Sequence, residues 1–134
     1  MRLWHIDLLH YLPKSQLRSQ WCELNSVFKN QNRHILINYV YEYPKEYLLS
    51  YAKAVIDEFE RRGYRYNTYT YNTYFKGNVS SADSGGLRFK EHNDEYLTIC
   101  YWNLREKYLR KQNDFTLEVW EKLDRFYKEK LNER

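Results

Sequence analysis

The stretch PKSQLRSQWCELNSVF, residues 13–28, decides the fold of this 134-residue chain. Pro13 is favoured in the first turn of a helix, where its missing N–H costs nothing. Apolar side chains then recur every three or four residues and predict an amphipathic helix; they are Leu17, Trp21, Leu24 and Phe28. Glu23 lies about 120° or more away from this apolar stripe, because each residue turns the helix by about 100°. By pattern alone Glu23 is an ordinary solvated glutamate, with the small Ser19 and Ser26 about one turn away.

Three further helices are predicted toward the C-terminus. Apolar residues at helical spacing over residues 47–59 predict a second helix that ends at Gly63, since glycine is common at helix C-termini. Asn93 is a suitable N-cap for a third helix that reaches about Lys111. A fourth helix occupies much of residues 113–134, and its inward face consists of Val119, Trp120, Leu123, Phe126 and Tyr127. The fold class is therefore mainly α: a compact single-domain bundle of three to four helices with irregular connections.

The connections between these helices are less regular. Residues 33–43 carry several apolar side chains and fit either a short buried extended piece or a helical turn before Pro44. Tyrosines are interleaved with polar residues over residues 64–75, and Tyr69-Thr70-Tyr71 has the alternation of a short strand. Residues 78–86, NVSSADSGG, have the composition of a flexible loop.

Charge and composition limit the class of protein. The net charge of +4 is a mild basic excess that is compatible with nucleic acid. The 15 tyrosines and 4 tryptophans have two interpretations: rings that stack on unpaired bases, or a small core with wet edges. No run of about 18 apolar residues exists, which excludes a membrane span. With two cysteines and no signal-like N-terminus, we expect a reduced, cytoplasmic protein.

Neither the histidines nor the cysteines form a recognisable site. The four histidines lack helical i, i+4 pairing and a CxxC companion, so no metal site is predicted; they are His5, His10, His34 and His92. Cys22 with a distant histidine is weak evidence for a nucleophile. The basic residues are spread along the chain and form either a solvated surface or a phosphate-binding face; they include Arg2, Lys14, Arg18, Lys29, Arg33, Arg65, Lys76, Lys107, Arg110 and Lys111.

Several motifs together point to a known family. They are MRLWHIDLLHYLPKSQLRSQWCEL at residues 1–24, RHILIN at 33–38, the Tyr43-Pro44 boundary, Arg62-Gly63-Tyr64, and EHNDEYLTICYWNLREKY at 91–108. In this order they resemble the pyrimidine-dimer DNA glycosylase family, which includes the endonuclease V-like, thymine-dimer enzymes of phages. The resemblance touches most of residues 1–111, and its first 24 residues and last motif are the more specific parts.

The resemblance implies an endonuclease V-like fold and a DNA repair enzyme that needs no cofactor. In that family the N-terminal α-amine attacks C1′ of the damaged nucleotide. The base leaves, a Schiff base forms, and β-elimination cuts the strand 3′ to the abasic site, with assistance from a helical glutamate. The implied partner is damaged double-stranded DNA, and we expect a monomer without a membrane partner.

Carried to this sequence, the resemblance assigns the catalytic amine to Met1 and the glutamate to Glu23. An α-amine loses its proton at a lower pH than a lysine side chain, so more of it is available as a nucleophile at neutral pH. Arg2 matches the basic residue beside the nucleophile, and Lys107 falls in the basic helix that contacts DNA, with Lys111 near a further basic position. Lys14 and Arg18 are additional candidates for contacts with phosphates.

The chain also departs from the family pattern. The phage nucleophile is a threonine exposed by removal of the initiator methionine, whereas the bulky Arg2 here disfavours that removal, so Met1 takes the threonine's place. Three positions that are arginine in the family are occupied here by Cys22, Ser26 and Asn103. Two alternatives therefore remain open: a non-catalytic nucleic-acid-binding module of the same fold, and an abasic-site lyase without dimer excision.

Overall fold

Five α-helices carry the fold in the computed structural model, which describes residues 1–76 and 83–133. They are α1 (Lys14–Asn30), α2 (Lys45–Arg62), α3 (Tyr69–Phe75), α4 (Asp94–Leu109) and α5 (Leu117–Asn132). Two short 3-10 helices, Ile6–Tyr11 and Asn38–Glu42, precede α1 and α2. These described residues contain no strand. The predicted mainly α class is confirmed, and α3 is the helix beyond the predicted three to four.

The first two long helices match their sequence patterns. The four apolar residues of the α1 stripe are all buried in the common core, in which α1 contacts both α2 and α3. α2 ends at Gly63, whose φ of 75° places it in the left-handed region that glycine adopts without strain. The N–H of Tyr64 then donates to the carbonyl of Phe59 at 2.9 Å, which closes the helix end.

The segment around Tyr69 is helical, so the strand-like interpretation of Tyr69-Thr70-Tyr71 was wrong. Tyr71 and Phe75 are one helical turn apart and both are buried against α1. The Tyr71 ring lies 5.8 Å from that of Trp21, and the Phe75 ring lies 5.2 Å from that of Phe28. A strand would point residues 71 and 75 the same way but about 13 Å apart, whereas a helical turn brings both rings onto the α1 aromatics.

The C-terminal helices form a second layer that is held by aromatic stacking. Asn93 caps α4 as predicted, because its side chain accepts a hydrogen bond from the Tyr96 N–H at 2.9 Å. Tyr101 of α4 stacks on Tyr127 of α5 with ring centroids 3.8 Å apart. Between the two helices, Asp114 accepts hydrogen bonds from the N–H and hydroxyl of Ser15, so the loop is attached to the start of α1. The C-terminal helix predicted within residues 113–134 corresponds to α5.

The structure describes the connection at residues 33–43 completely and the connection at residues 78–86 only in part. Residues 38–42 form a 3-10 helix, so the helical-turn interpretation of residues 33–43 applies, with Ile37 and Val40 buried. Residues 78–82 of the predicted flexible loop at 78–86 lie outside the described residues. In its described part, Gly85 has a φ of 73° and its N–H donates to the Ser50 carbonyl at 3.0 Å.

The tyrosines build the core and its margin. All 15 lie in the described residues, and four of them are buried: Tyr51, Tyr71, Tyr101 and Tyr127. Ten others are partly buried and pack against the core, and Tyr69 is mainly exposed. The interpretation of a small core with wet edges therefore accounts for the composition. Among the described residues, no helix has the length and apolarity to cross a membrane.

Candidate active site

The N-terminal residues, α1 and α4 enclose a cleft of about 200 Å³. Its lining residues are Met1, Arg2, Trp4, Gln16, Ser19, Gln20, Glu23, Asn103 and Lys107. On α1, Ser19 and Gln20 lie three and four residues after Gln16, and Glu23 lies three residues after Gln20. The two residues from α4 are one turn apart, so each helix presents one face to the cleft. Sequence position 1 and position 23 thus meet in one concave site.

Hydrogen bonds hold the N-terminal segment along α1. The Trp4 N–H donates to Gln20 Oε1 at 2.7 Å, and Gln20 Nε2 donates to the Arg2 carbonyl at 3.2 Å. From α2, the buried Tyr51 hydroxyl donates to the Trp4 carbonyl at 2.6 Å. Extended backbone that lacks a sheet partner needs such side-chain partners when it is buried. The segment that leads to the terminal amine therefore has a defined path.

Arg2 is held by two aromatic rings. Its guanidinium carbon lies 6.0 Å from the Trp4 ring and 5.8 Å from the Tyr96 ring, within the range of cation–π attraction. The Tyr96 hydroxyl in turn donates to the Leu3 carbonyl. These contacts hold the permanently charged Arg2 side chain at the cleft, next to Met1.

Glu23 is half-buried in this cleft, which differs from a fully solvated glutamate. Burial raises the pKa of its carboxyl group. The positive N-terminal amine, the backbone of Arg2, Lys107 and His34 favour the ionised form, but they do not offset the burial, so the pKa of Glu23 remains above its ordinary value. Such a carboxyl group accepts and returns a proton closer to neutral pH than an exposed glutamate does.

The terminal residue itself is accessible. Met1 is 37% exposed and lines the cleft, so the terminal residue is not enclosed behind packed side chains. A primary amine and a carboxyl group in one open cleft are the two groups that amine attack on carbon requires. The pair supplies a nucleophile and a group that can transfer protons.

The structure brings together only part of the predicted site. Met1, Arg2, Glu23 and Lys107 line the same cleft. Lys14 and Arg18 are exposed on α1 and do not line it; their charged groups lie 4.7 Å and 6.0 Å from the Tyr64 ring. Lys111 lies in a separate depression at the end of α4 and has a φ of 61°.

The three positions that depart from the family's arginines fall in two places. Asn103 lines the cleft itself. Cys22 is exposed and, with Ser26, lines a second depression of about 440 Å³ along α1. Ser26 also accepts a hydrogen bond from the Asn32 side chain at 2.8 Å. At these three positions, where the resemblance places arginine, the chain adds no positive charge to the cleft wall or to this depression.

Sequence reasoning overlooked Gln16, Ser19, Gln20 and Trp4 as cleft residues. A signal existed for Gln20, because it is a polar residue three positions after Leu17 and four before Leu24, within the apolar stripe. A polar side chain at such a position is buried and needs hydrogen-bond partners. Its backbone partners belong to Arg2 and Trp4, which precede the 3-10 helix Ile6–Tyr11, so the sequence pattern could not name them.

The histidines serve the fold in this structure. His5 and His92 are buried with ring centroids 5.5 Å apart, and His10 contacts Glu58 at 3.2 Å. Among residues 1–76 and 83–133, no three His, Cys, Asp or Glu side chains come close enough to share a metal ion.

A comparison with protein-family models gives one match. The model described as pyrimidine dimer DNA glycosylase matches residues 1–72, more than half of the chain and the part that supplies the amine, α1 and α2. Searches of curated proteins and of solved structures found no match. The fold and the match define a helical DNA repair glycosylase. The chain belongs to the pyrimidine dimer DNA glycosylase family, which confirms the resemblance seen in its motifs and makes DNA its substrate.

Proposed function

We propose that this protein is a pyrimidine-dimer DNA glycosylase that also cleaves abasic sites, with the α-amine of Met1 as nucleophile and Glu23 as the proton-transferring group. The observation that carries the proposal is that these two residues, 22 positions apart, line one open cleft. Family membership supports the glycosylase step, and the cleft supports the lyase chemistry.

The reaction follows from these two groups. The amine lone pair attacks C1′, the bond from C1′ to the base nitrogen breaks, and the base leaves with that electron pair. Loss of a proton from the attached nitrogen and opening of the sugar ring then give a protonated imine. Removal of a C2′ proton allows β-elimination, in which the C3′–O bond breaks and the phosphate leaves. Glu23 accepts and returns the protons of these steps.

The size and charge of the cleft fit a sugar–phosphate unit. A volume of about 200 Å³ is below the roughly 300–1,000 Å³ of pockets that enclose a drug-sized ligand. One nucleotide sugar, moved from the stack at a lesion where unstacking costs less, is a suitable occupant. Arg2 and Lys107 at the cleft provide the positive charge that phosphates require.

Trapping with borohydride tests the proposal. Untagged protein is mixed with duplex DNA that carries one abasic site, borohydride is added, and the mass of the complex and its modified peptide are determined. We expect a covalent adduct on the Met1 amine. An adduct on a lysine side chain, or none with a verified Met1 terminus, would overturn the assignment of Met1.

Two competing functions have distinct outcomes in the same assay. A nucleic-acid-binding module of this fold binds the abasic duplex without a trapped product. A lyase without dimer excision is trapped on the abasic duplex and releases no product from ultraviolet-irradiated duplex. The proposed enzyme is trapped on both substrates.

A further inference from the structure

We propose that Gln20 is a positioning residue that sets the place of the terminal amine relative to Glu23; this rests on the proposed function. Gln20 is 1% exposed, although glutamine is a polar residue that is mostly found at the surface. It lies on α1 one turn before Glu23 and lines the same cleft. A buried amide of this kind is stable only when its hydrogen-bonding groups have partners.

Three hydrogen bonds and one shared contact use both ends of the Gln20 amide. Oε1 accepts from the Trp4 N–H at 2.7 Å. It also lies 3.1 Å from the Tyr51 hydroxyl, whose single proton is shared with the nearer Trp4 carbonyl at 2.6 Å. Nε2 donates to the Arg2 carbonyl at 3.2 Å and faces Glu23 Oε2 at 3.5 Å. The amide oxygen therefore has one full hydrogen bond, from Trp4, and both protons of the amide nitrogen face acceptors.

The partners also determine the orientation of this amide. A backbone N–H can only donate and a backbone carbonyl can only accept, so the oxygen must face Trp4 and the nitrogen must face Arg2. The second proton of that nitrogen then points to Glu23. A single rigid group therefore connects the backbone next to the amine with the carboxyl group.

The consequence for the reaction is geometric. Displacement of reacting groups by about 1 Å can lower a rate by about 100-fold. The backbone of residues 2–4 has no sheet partner on the α1 side, and Gln20 supplies two of its hydrogen bonds. Without them the segment keeps its contacts to Tyr51 and Tyr96 and the contact of the Arg2 backbone with Glu23, but loses the two hydrogen bonds that fix it to α1 at Gln20.

Gln20 also acts on the charge of Glu23. A donor N–H stabilises the ionised carboxylate, so loss of Nε2 should raise the pKa of Glu23 further. The other groups that act on this carboxyl are the Met1 amine, the Arg2 backbone, Lys107 and His34, and they remain in a Gln20 variant. A change in the titration of Glu23 is therefore a readout that a purely space-filling residue would not produce.

The test uses the complete chain with Gln20→Met, which keeps the volume and removes every hydrogen bond. We expect single-turnover elimination on abasic duplex to slow by about 100-fold, with DNA affinity nearly unchanged. We also expect the carboxyl titration of Glu23, followed by carbon NMR without DNA, to move to higher pH. Gln20→Glu, which has nearly the same shape but lacks the two N–H donors, should not restore the rate.

Gln112→Met is the matched control. Gln112 is a half-buried glutamine that hydrogen-bonds Gln16 at 2.9 Å and Asp114 at 3.3 Å but does not line the cleft. It should lower the melting temperature without moving the Glu23 titration. A folded Gln20→Met protein with the parent's titration would overturn the proposal. Because the titration needs no catalysis, this outcome is separate from failure of the parent to form the borohydride adduct, which would overturn the proposed function.

Discussion

The backbone N–H of Ile6 donates a hydrogen bond to Nδ1 of His92, 3.2 Å away and 86 positions later in the chain. Since a backbone N–H only donates, Nδ1 carries no proton and the neutral ring is protonated on Nε2, 2.7 Å from the Tyr39 hydroxyl oxygen. This contact attaches the N-terminal segment to the residues that begin α4. The hydrogen bond requires that Nδ1 of His92 carries no proton.

The buried, neutral His92 should make the free energy of unfolding depend on pH. Burial, with the nearby His5 and Arg88, lowers the pKa of His92 from 6.5 to about 3. Between these values the unfolded chain binds a proton that the folded chain rejects, so stability falls as the pH drops below 6.5. The expected slope from this residue is about 1.4 kcal/mol per pH unit. Urea unfolding of the parent and of His92→Asn at several pH values measures the difference, and equal slopes would contradict it.

Glu58 should stabilise the end of α2. Burial raises the pKa of its carboxyl, but hydrogen bonds from Arg61, Arg62 and His10 outweigh burial and lower the pKa below its ordinary value. Its stabilisation is therefore present above about pH 4.5 and is lost as the pH falls through the lowered pKa. Glu58→Gln should cost about 3 kcal/mol at neutral pH, because it leaves the largely buried Arg62 charge with a weaker partner.

Glu60→Gln is the control for this experiment. Glu60 is exposed on the same helix and accepts a hydrogen bond from the Tyr66 hydroxyl. Its replacement should change the free energy of unfolding by less than about 1 kcal/mol. Equal losses for both variants would assign the Glu58 effect to the general charge of the helix.

Glu23→Gln should remove most of the elimination activity. The amide keeps the volume and one oxygen of the carboxyl but cannot take up a proton, and the loss of such a group usually lowers a rate by about 100- to 10,000-fold. DNA affinity, measured by anisotropy, should stay close to that of the parent. In the parent, the rate should fall on acidification at a pH above the ordinary pKa of a glutamate, because burial raises the pKa of Glu23. Glu121→Gln, on the exposed side of α5, is expected to behave like the parent.

Blocking the terminal amine should abolish trapping while DNA binding persists. Acetylation delocalises the lone pair needed for attack on C1′ into an amide and leaves the side chains of the cleft unchanged. The state of the terminus is verified by mass spectrometry, and the same chain with a free terminal amine serves as control. Undiminished trapping by the acetylated chain would exclude Met1 as the nucleophile.

Lys107 should contribute one phosphate contact. Lys107→Ala is expected to weaken DNA binding and to reduce the slope of log affinity against log salt by about 1. Lys128→Ala, which removes a cation paired with Asp124 at 2.9 Å on α5, should leave the slope nearly unchanged. Asn103→Arg adds a cation on the same face of α4 and should increase the slope by about 1.

Much of the helical framework was predictable because local signals are complete within one segment. The α1 stripe, the glycine after α2 and the Asn93 cap each act within a few residues. The Tyr69 segment was misjudged because its helical state depends on the Trp21 and Phe28 rings, which lie about 50 positions before the rings that they contact. The alternation of Tyr69-Thr70-Tyr71 indicated a strand. The segment is a helix because its rings are buried against α1, and a contact so distant in the chain leaves no local pattern.

The site shows the same division. The sequence by itself determined the family, the helix that carries Glu23, and the identity of the groups that could act in the reaction. Only the tertiary structure decided that Arg2, Glu23 and Lys107 share a cleft that excludes Lys14 and Lys111, and that Gln20 joins the first residues to α1. Chemical type is a property of each residue, whereas distance, burial and hydrogen-bond partners arise when segments far apart in the chain pack together.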